Sequence, residues 1–200
     1  MIIIGITGGF GTGKSFVAGI FKKLGAQVVD ADSLAHRTLK KGSATYKSIV
    51  AVFGRSVLDK AGAVNRKALG RLVFGDKKKL AALNRIIHPV VIGQIKERVE
   101  GSGKGVLVID APLICETALA DMIDALIVVK ASKQRQIDRC VKKFKLSEAD
   151  VRRRIACQLP LEIKLKKADR VIDNNGTRSV TEKQVTKLWQ ELKKGAIVWK

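Results

Sequence analysis

Met1-Ile-Ile-Ile-Gly-Ile-Thr7 runs directly into Gly8-Gly-Phe-Gly-Thr-Gly-Lys-Ser15, and the reading of this junction decides the fold. The first stretch is short, apolar and β-branched, the composition of a strand buried on both faces. The second fits G-x-x-x-x-G-K-[ST], a loop whose backbone N–H groups wrap a phosphate. Its glycines permit positive φ angles and a close approach to an anion that side chains would block. Lys14 brings a point charge to the β- and γ-phosphates, and the Ser15 hydroxyl is the expected Mg²⁺ ligand. Phe16-Val-Ala-Gly-Ile-Phe-Lys-Lys-Leu24 then reads as a helix whose N-terminal dipole adds positive potential. Strand, loop and helix in this order predict a nucleotide site.

The 200 residues suit one α/β domain with room for a subdomain or lid. No long uncharged apolar run is present, so no membrane span is expected. The start carries the loop strand instead of a basic, secretory n-region, which predicts a cytoplasmic protein. Cys115, Cys140 and Cys157 are odd in number, lack metal-ligand spacing, and read as reduced structural thiols. The formal net charge of +21 points to nucleic acid, acidic lipid or a strongly anionic small ligand. Cations are densest from 130 to 170, where Phe144 is the only aromatic residue. That argues against a base-stacking platform and favours a small polyanion over nucleic acid. A basic surface with no particular partner is the remaining alternative. Nothing in the composition sets an oligomeric state.

Working outward from the loop, Ala26-Gln-Val-Val-Asp30 reads as a second strand ending in Asp30-Ala31-Asp32. Ligands of open parallel sheets lie beyond the carboxyl ends of the strands. If the extension persists through Ala31, Asp30 and Asp32 point the same way. One of them, Asp32 foremost, could then take the proton of an attacking hydroxyl; the alternative is that it caps the helix Ser33–Lys40. From 42 to 103 the pattern is largely helical, with Asn65 capping 66–74, a helix from Asp76 toward Ile87, and Pro89 opening another over 90–98. That length exceeds a simple crossover and predicts an inserted helical subdomain. His88 reads as a cap or packed residue more readily than as a catalyst.

Gly105-Val-Leu-Val-Ile-Asp110 is a further buried strand ending in an acid, and Asp110 is a candidate Mg²⁺ partner. Glu116 could pair with a base at the site or satisfy a helix N-terminus. Ala125–Val129 is the next strand, and 130–167 reads as two or three charged helices that could close over a substrate. Arg170-Val-Ile-Asp173 is the last strand, followed by Asn174-Asn175-Gly176. Ser179-Val-Thr-Glu182 reads as a capping box for a final helix, and the tail Ala196-Ile-Val-Trp199 as a segment packing back on the core.

Together these residues resemble the dephospho-coenzyme A kinase family over nearly the whole chain. The resemblance rests on Ile6–Ser15, Asp30-Ala-Asp32 with Ala35, Gly42, Phe53-Gly54 and Asn65–Leu69. Ile87-His88-Pro89, Asp110-Ala-Pro-Leu113 with Glu116, and Ala168–Asn174 complete it. It implies an α/β fold with a P-loop NTPase-type three-layer core, a mostly parallel sheet, a helical substrate-binding insertion and a helical lid. The core would take about 1–32, 104–130 and 168–200, the insertion about 33–103 and the lid about 131–167. The implied activity is ATP-dependent phosphorylation of the ribose 3′-hydroxyl of dephospho-coenzyme A, the last step of coenzyme A synthesis. The implied ligands are ATP, Mg²⁺ and dephospho-coenzyme A.

By similarity, Asp32 is the base near the 3′-hydroxyl, Gly11, Thr12, Gly13, Lys14 and Ser15 hold the ATP phosphates, and Phe16 belongs to the same ATP-binding stretch. Asn174, Asn175 and Gly176 border the adenine, and Arg139 reaches phosphates. The chain departs from the family pattern at Phe16, where Thr is usual, and at Lys143, Leu161 and Lys164, where arginines are frequent. Lysine cannot reproduce the bidentate contact of arginine with a phosphate. Arg139, Arg152, Arg153 and Arg154 stay open as the cations that close on the phosphate. The alternatives are another small P-loop kinase acting on a nucleoside, nucleotide or metabolite, and a nucleic-acid-binding ATPase.

Overall fold

A computed structural model describes residues 1–195 of the chain, so the tail segment at 196–199 lies outside the described residues. The chain forms two compact units, one made of Met1–Asp30 with Ser102 onward and the other of Ala31–Gly101. In the first, β1 (Ile2–Thr7) leads through the loop to α1 (Lys14–Lys23) and β2 (Gln27–Asp30). The second unit holds α2 (Ala31–Thr38), α3 (Ala44–Phe53), α4 (Arg66–Val73) and α5 (Lys77–Glu100). The first then resumes with β3 (Val106–Asp110), 3-10 turns at Ile114–Glu116 and Ala118–Met122, and β4 (Ala125–Lys130). It ends with α6 (Lys133–Phe144), α7 (Glu148–Ala156), α8 (Leu161–Lys166), β5 (Arg170–Asp173) and α9 (Arg178–Lys193).

The five strands form one parallel sheet in the order β2-β3-β1-β4-β5. β1 is central, and the chain leaves it to one side for β2 and β3 and returns on the other for β4 and β5. Such a reversal is where open parallel sheets bind their ligands. Register places Asp110 beside Ile6 on one side and Asp30 on the other. The two strand-end carboxylates are therefore neighbours at one edge of the sheet.

Side-chain alternation along β1 builds the layers. Ile4 and Ile6 pack with Val17 and Phe21 of α1 and with Leu188 and Trp189 of α9. The rings of Phe21 and Trp189 meet edge to face at 6.2 Å. Gly5 faces the other way, where a Cβ would lie 2.8 Å from Ile123 Cδ1 and 3.0 Å from Ile114 Cδ1. Ile114 and Ile123 thus pack directly on β1 at Gly5, and a side chain there would have to displace their Cδ1 methyls. Helices above, sheet, and turns with α8 below make the expected three-layer α/β core.

In the second unit, Ile49, Val57, Leu69 and Val73 form the buried centre. Ser43, Asn65 and Asp76 cap α3, α4 and α5 by accepting backbone N–H groups of the first turns.

Three local expectations are corrected. Extension stops at Asp30, and α2 begins at Ala31, so Asp32 lies in a first helical turn and does not alternate with Asp30. Pro89 lies within one helix, α5, instead of starting a new one, and His88 is likewise inside that helix. A proline there costs about 3 kcal/mol. Burial of Val91 and Ile95 beyond it outweighs that, at roughly 1.5–3 kcal/mol per side chain. The cap of α9 is Thr177, whose hydroxyl accepts the Val180 N–H, and not Ser179.

Phe21→Ala should lower unfolding free energy by about 3–5 kcal/mol in urea denaturation. Val180→Ala, at a half-exposed site of α9, should stay within about 0.5 kcal/mol of the parent.

Candidate functional site

The loop between β1 and α1 has the geometry of an anion cradle. Gly13 occupies the N-cap of α1 at φ 95°, and no side chain caps the helix start. The helix thus directs its first amides and its dipole toward the loop mouth. Gly11 has φ 82°. A Cβ on it would lie 2.6 Å from Cys140 Sγ, and one on Gly13 would collide with the Asn174 amide. Both glycines are required by conformation and by what stands behind them. Lys14 curls over the loop, its Nζ donating to the Gly9 carbonyl at 3.2 Å. Thr12 is fully buried, and its hydroxyl donates to the same carbonyl at 3.0 Å.

The back of the loop is fastened by residues distant in sequence. Asn174 is buried; its Nδ2 donates to the Thr12 carbonyl at 2.8 Å, and its Oδ1 accepts from Thr181 of α9 at 2.9 Å. Arg139 on α6 donates to the Thr12 carbonyl at 3.3 Å and to the Asn174 carbonyl at 2.8 Å. Burial first, then the like charge of Arg135, lowers the Arg139 pKa, yet a guanidinium stays charged. Arg139 and Asn174 therefore hold the loop from behind. The side chain of Asn175 accepts the Ser132 N–H at 2.7 Å and donates to Asp173 at 2.7 Å.

Three contributions gave no signal in the sequence. Phe10, at the tip of the loop, packs on Ile137, Cys140 and Val151 of α6 and α7. Its ring stacks on Phe144 at 5.6 Å and lies under the Arg154 guanidinium at 5.5 Å. Gln136 is buried behind Gly9: its Nε2 donates to the Ala131 carbonyl, and its Oε1 sits 2.9 Å from where a Gly9 Cβ would be. Gln136 and Cys140 are spaced i, i+4, so one face of α6 backs the loop, a pattern that acquires meaning only once the loop is known to lie there.

The remaining expected residues are placed as follows. Ser15 is in the first turn of α1. Phe16 packs against the main core with Arg178 over its ring at 5.7 Å, so the residue that departs from the family pattern presents an apolar face inward. Asp110 ends β3 and is 4% exposed. Asp32 belongs to the first turn of α2 in the other unit. Among the other arginines, Arg152 pairs with Glu148 at 3.4 Å and Arg153 with Asp150, both as exposed pairs within α7. Among the described residues, no group of three or more His, Cys, Asp or Glu is arranged to hold a metal ion. No helix among them is long and apolar enough to cross a membrane.

The family model described as dephospho-CoA kinase matches residues 2–179. The chain belongs to the dephospho-CoA kinase family. It is 39% identical over 187 residues to the dephospho-CoA kinase of Bacillus thuringiensis subsp. konkukian (strain 97-27), covering 92% of this chain and 94% of that protein. The structure of TT1252 from Thermus thermophilus superposes with TM-score 0.79 at 31% identity, covering 96% of this chain and 97% of that one. Dephospho-CoA kinase from Campylobacter jejuni does so with TM-score 0.69 at 28% identity, covering 98% of each chain. Membership of a P-loop kinase family implies ATP as the phosphoryl donor.

Gly13→Ala should abolish detectable ATP binding in isothermal titration calorimetry while circular dichroism stays native. It forces a Cβ into Asn174 at a left-handed backbone position.

Proposed function

We propose that this protein is an ATP-dependent kinase that phosphorylates the ribose 3′-hydroxyl of dephospho-coenzyme A, giving coenzyme A. The reading is carried by a Gly-Lys-Ser loop at an uncapped helix start in a chain whose family match extends over residues 2–179. Phosphoryl transfer needs positioning and charge neutralisation more than covalent participation by the protein. The loop amides and Lys14 bind and orient the donor phosphates. Ser15 and Asp110 fit as the protein side of a Mg²⁺ site, since that ion takes most of its oxygens from phosphates and water and needs only one or two protein ligands. When bound, the ion would neutralise charge on the phosphate oxygens.

Arg154 is the favoured cation for the transferring group. Its guanidinium lies over the ring of Phe10, at the tip of the phosphate loop, at 5.5 Å, whereas Arg139 lies behind the loop on the Thr12 and Asn174 carbonyls. Arg139 then serves by holding the loop. Asp32 is assigned as the acceptor of the 3′-hydroxyl proton; its support is the chain position, two residues beyond the strand end that is in register with Asp110. The unit Ala31–Gly101 is assigned to binding the acceptor, and the segment from α6 to α8 to a lid.

Incubation with ATP and a panel of acceptors should show transfer to dephospho-coenzyme A and not to nucleosides, shikimate or nucleic acid. Lys14→Ala should abolish that turnover, and EDTA should suppress it. Asp32→Asn should cut kcat by about 10²-fold or more, on the scale of general-base catalysis, with ATP affinity unchanged. Near-normal kcat in that variant would remove the base assignment. Arg154→Met should lower kcat by up to about 10³-fold, by analogy with arginine fingers.

A further inference from the structure

We propose that Lys164 is a positioning residue for the metal–nucleotide side of the site, an inference that rests on the kinase reading. Lys164 is completely buried, although it is a cationic residue of a short helix, α8. Its Nζ donates to the Pro112 carbonyl at 2.6 Å and stands 3.5 Å from Glu116 Oε1. Burial lowers its pKa, and Glu116 opposes that shift. An isolated buried ammonium is costly, and an apolar side chain of the same length would fill the space without that cost. The charge is therefore tied to something that the carbonyl and the carboxylate do.

Pro112 lies two residues beyond Asp110, and its carbonyl also accepts the hydroxyl of Thr7 at 3.0 Å. Thr7 is the last residue of β1, immediately before the loop. One carbonyl thus joins three parts: the strand that delivers the phosphate loop, the strand that delivers Asp110, and α8. Glu116 extends the join, because its Oε1 accepts the Leu159 N–H at 3.3 Å from the connection between α7 and α8. Proline has no N–H, so one ordinary means of pinning this stretch is missing, while Ala111 is held by the Ile6 carbonyl at 3.1 Å. Lys164 shares with Thr7 the fixing of the backbone that leaves Asp110, and it fastens the α6–α8 segment, which carries Arg139 and Arg154, to that backbone. Its ammonium touches no substrate; it acts through the placement of Asp110.

Three variants test this: Lys164→Met, which keeps length and removes charge; Glu116→Gln, which keeps shape and removes the ion pair; and Lys164→Arg as a conservative replacement. Each is compared with the parent in dephospho-coenzyme A kinase turnover, thermal unfolding, and calorimetric titration with ATP in Mg²⁺ and in EDTA. Lys164→Met should lower kcat at least 10-fold with less than threefold change in KM for either substrate. The tightening of ATP binding by Mg²⁺ should fall about 10-fold, with affinity in EDTA unchanged. Lys164→Arg should recover part of both losses. A Met variant that is folded and keeps the parental Mg²⁺ gain overturns the inference, as does one whose activity falls only with its folded fraction. If Lys164→Met does not fold, Glu116→Gln decides on the same two readouts, with a smaller loss in the same direction expected and parental values overturning the proposal. Parental enzyme inactive toward dephospho-coenzyme A would count against the kinase reading instead, and the ATP titrations, which need no acceptor, still decide the role of Lys164.

Discussion

The Thr12 carbonyl is the point on which the site depends. A loop that offers backbone N–H groups to an anion must turn its carbonyls away, and those carbonyls need partners inside the protein. At Thr12 the partners are Asn174 and Arg139, contributed by the β5–α9 connection and by α6. Thr181 in turn fixes the Asn174 amide. The cradle is therefore preorganised from behind, with no rearrangement needed to aim its amides. Removing one of these partners forfeits a hydrogen bond worth about 0.5–1.5 kcal/mol, and loosens the donor site at the same time.

The same arrangement explains why a basic segment sits against the loop. α6 supplies Gln136, Arg139 and Cys140 to its rear, and α7 places Arg154 over Phe10 at its tip. The net charge of +21 would be a liability for a protein without anionic ligands. For an enzyme taking two phosphate-rich substrates it raises their local concentration and the rate of encounter. The cations near the loop are held differently: Arg139 donates to two backbone carbonyls, Arg152 and Arg153 form exposed pairs within α7 of a kind that contributes little, and Lys164 donates to a buried carbonyl.

Much of this was legible in the sequence where local chemistry decides the outcome. The β-branched run, the glycine loop and the following helix fix one another through neighbouring residues, and Asn65 caps a helix as its spacing indicates. Legibility failed where a distant contact decides. Asp32 entered a helix because extension ended one residue earlier than alternation suggested. Pro89 was absorbed because apolar side chains pack on both sides of it. Lys164 read as one more lid cation, since nothing in Leu161–Lys166 reveals that Pro112 and Glu116 enclose its ammonium. Phe10 carries no signal in the loop motif, and its aromatic ring has a role only because α6 and α7 lie against it.

The most direct measurement is the position of the new phosphate on the product formed from ATP and dephospho-coenzyme A, read by phosphorus and proton NMR. A 3′-kinase gives a single new phosphomonoester, on the ribose 3′-oxygen. Transfer to the 2′-oxygen, a mixture of positions, or hydrolysis of ATP without transfer would contradict the proposed activity.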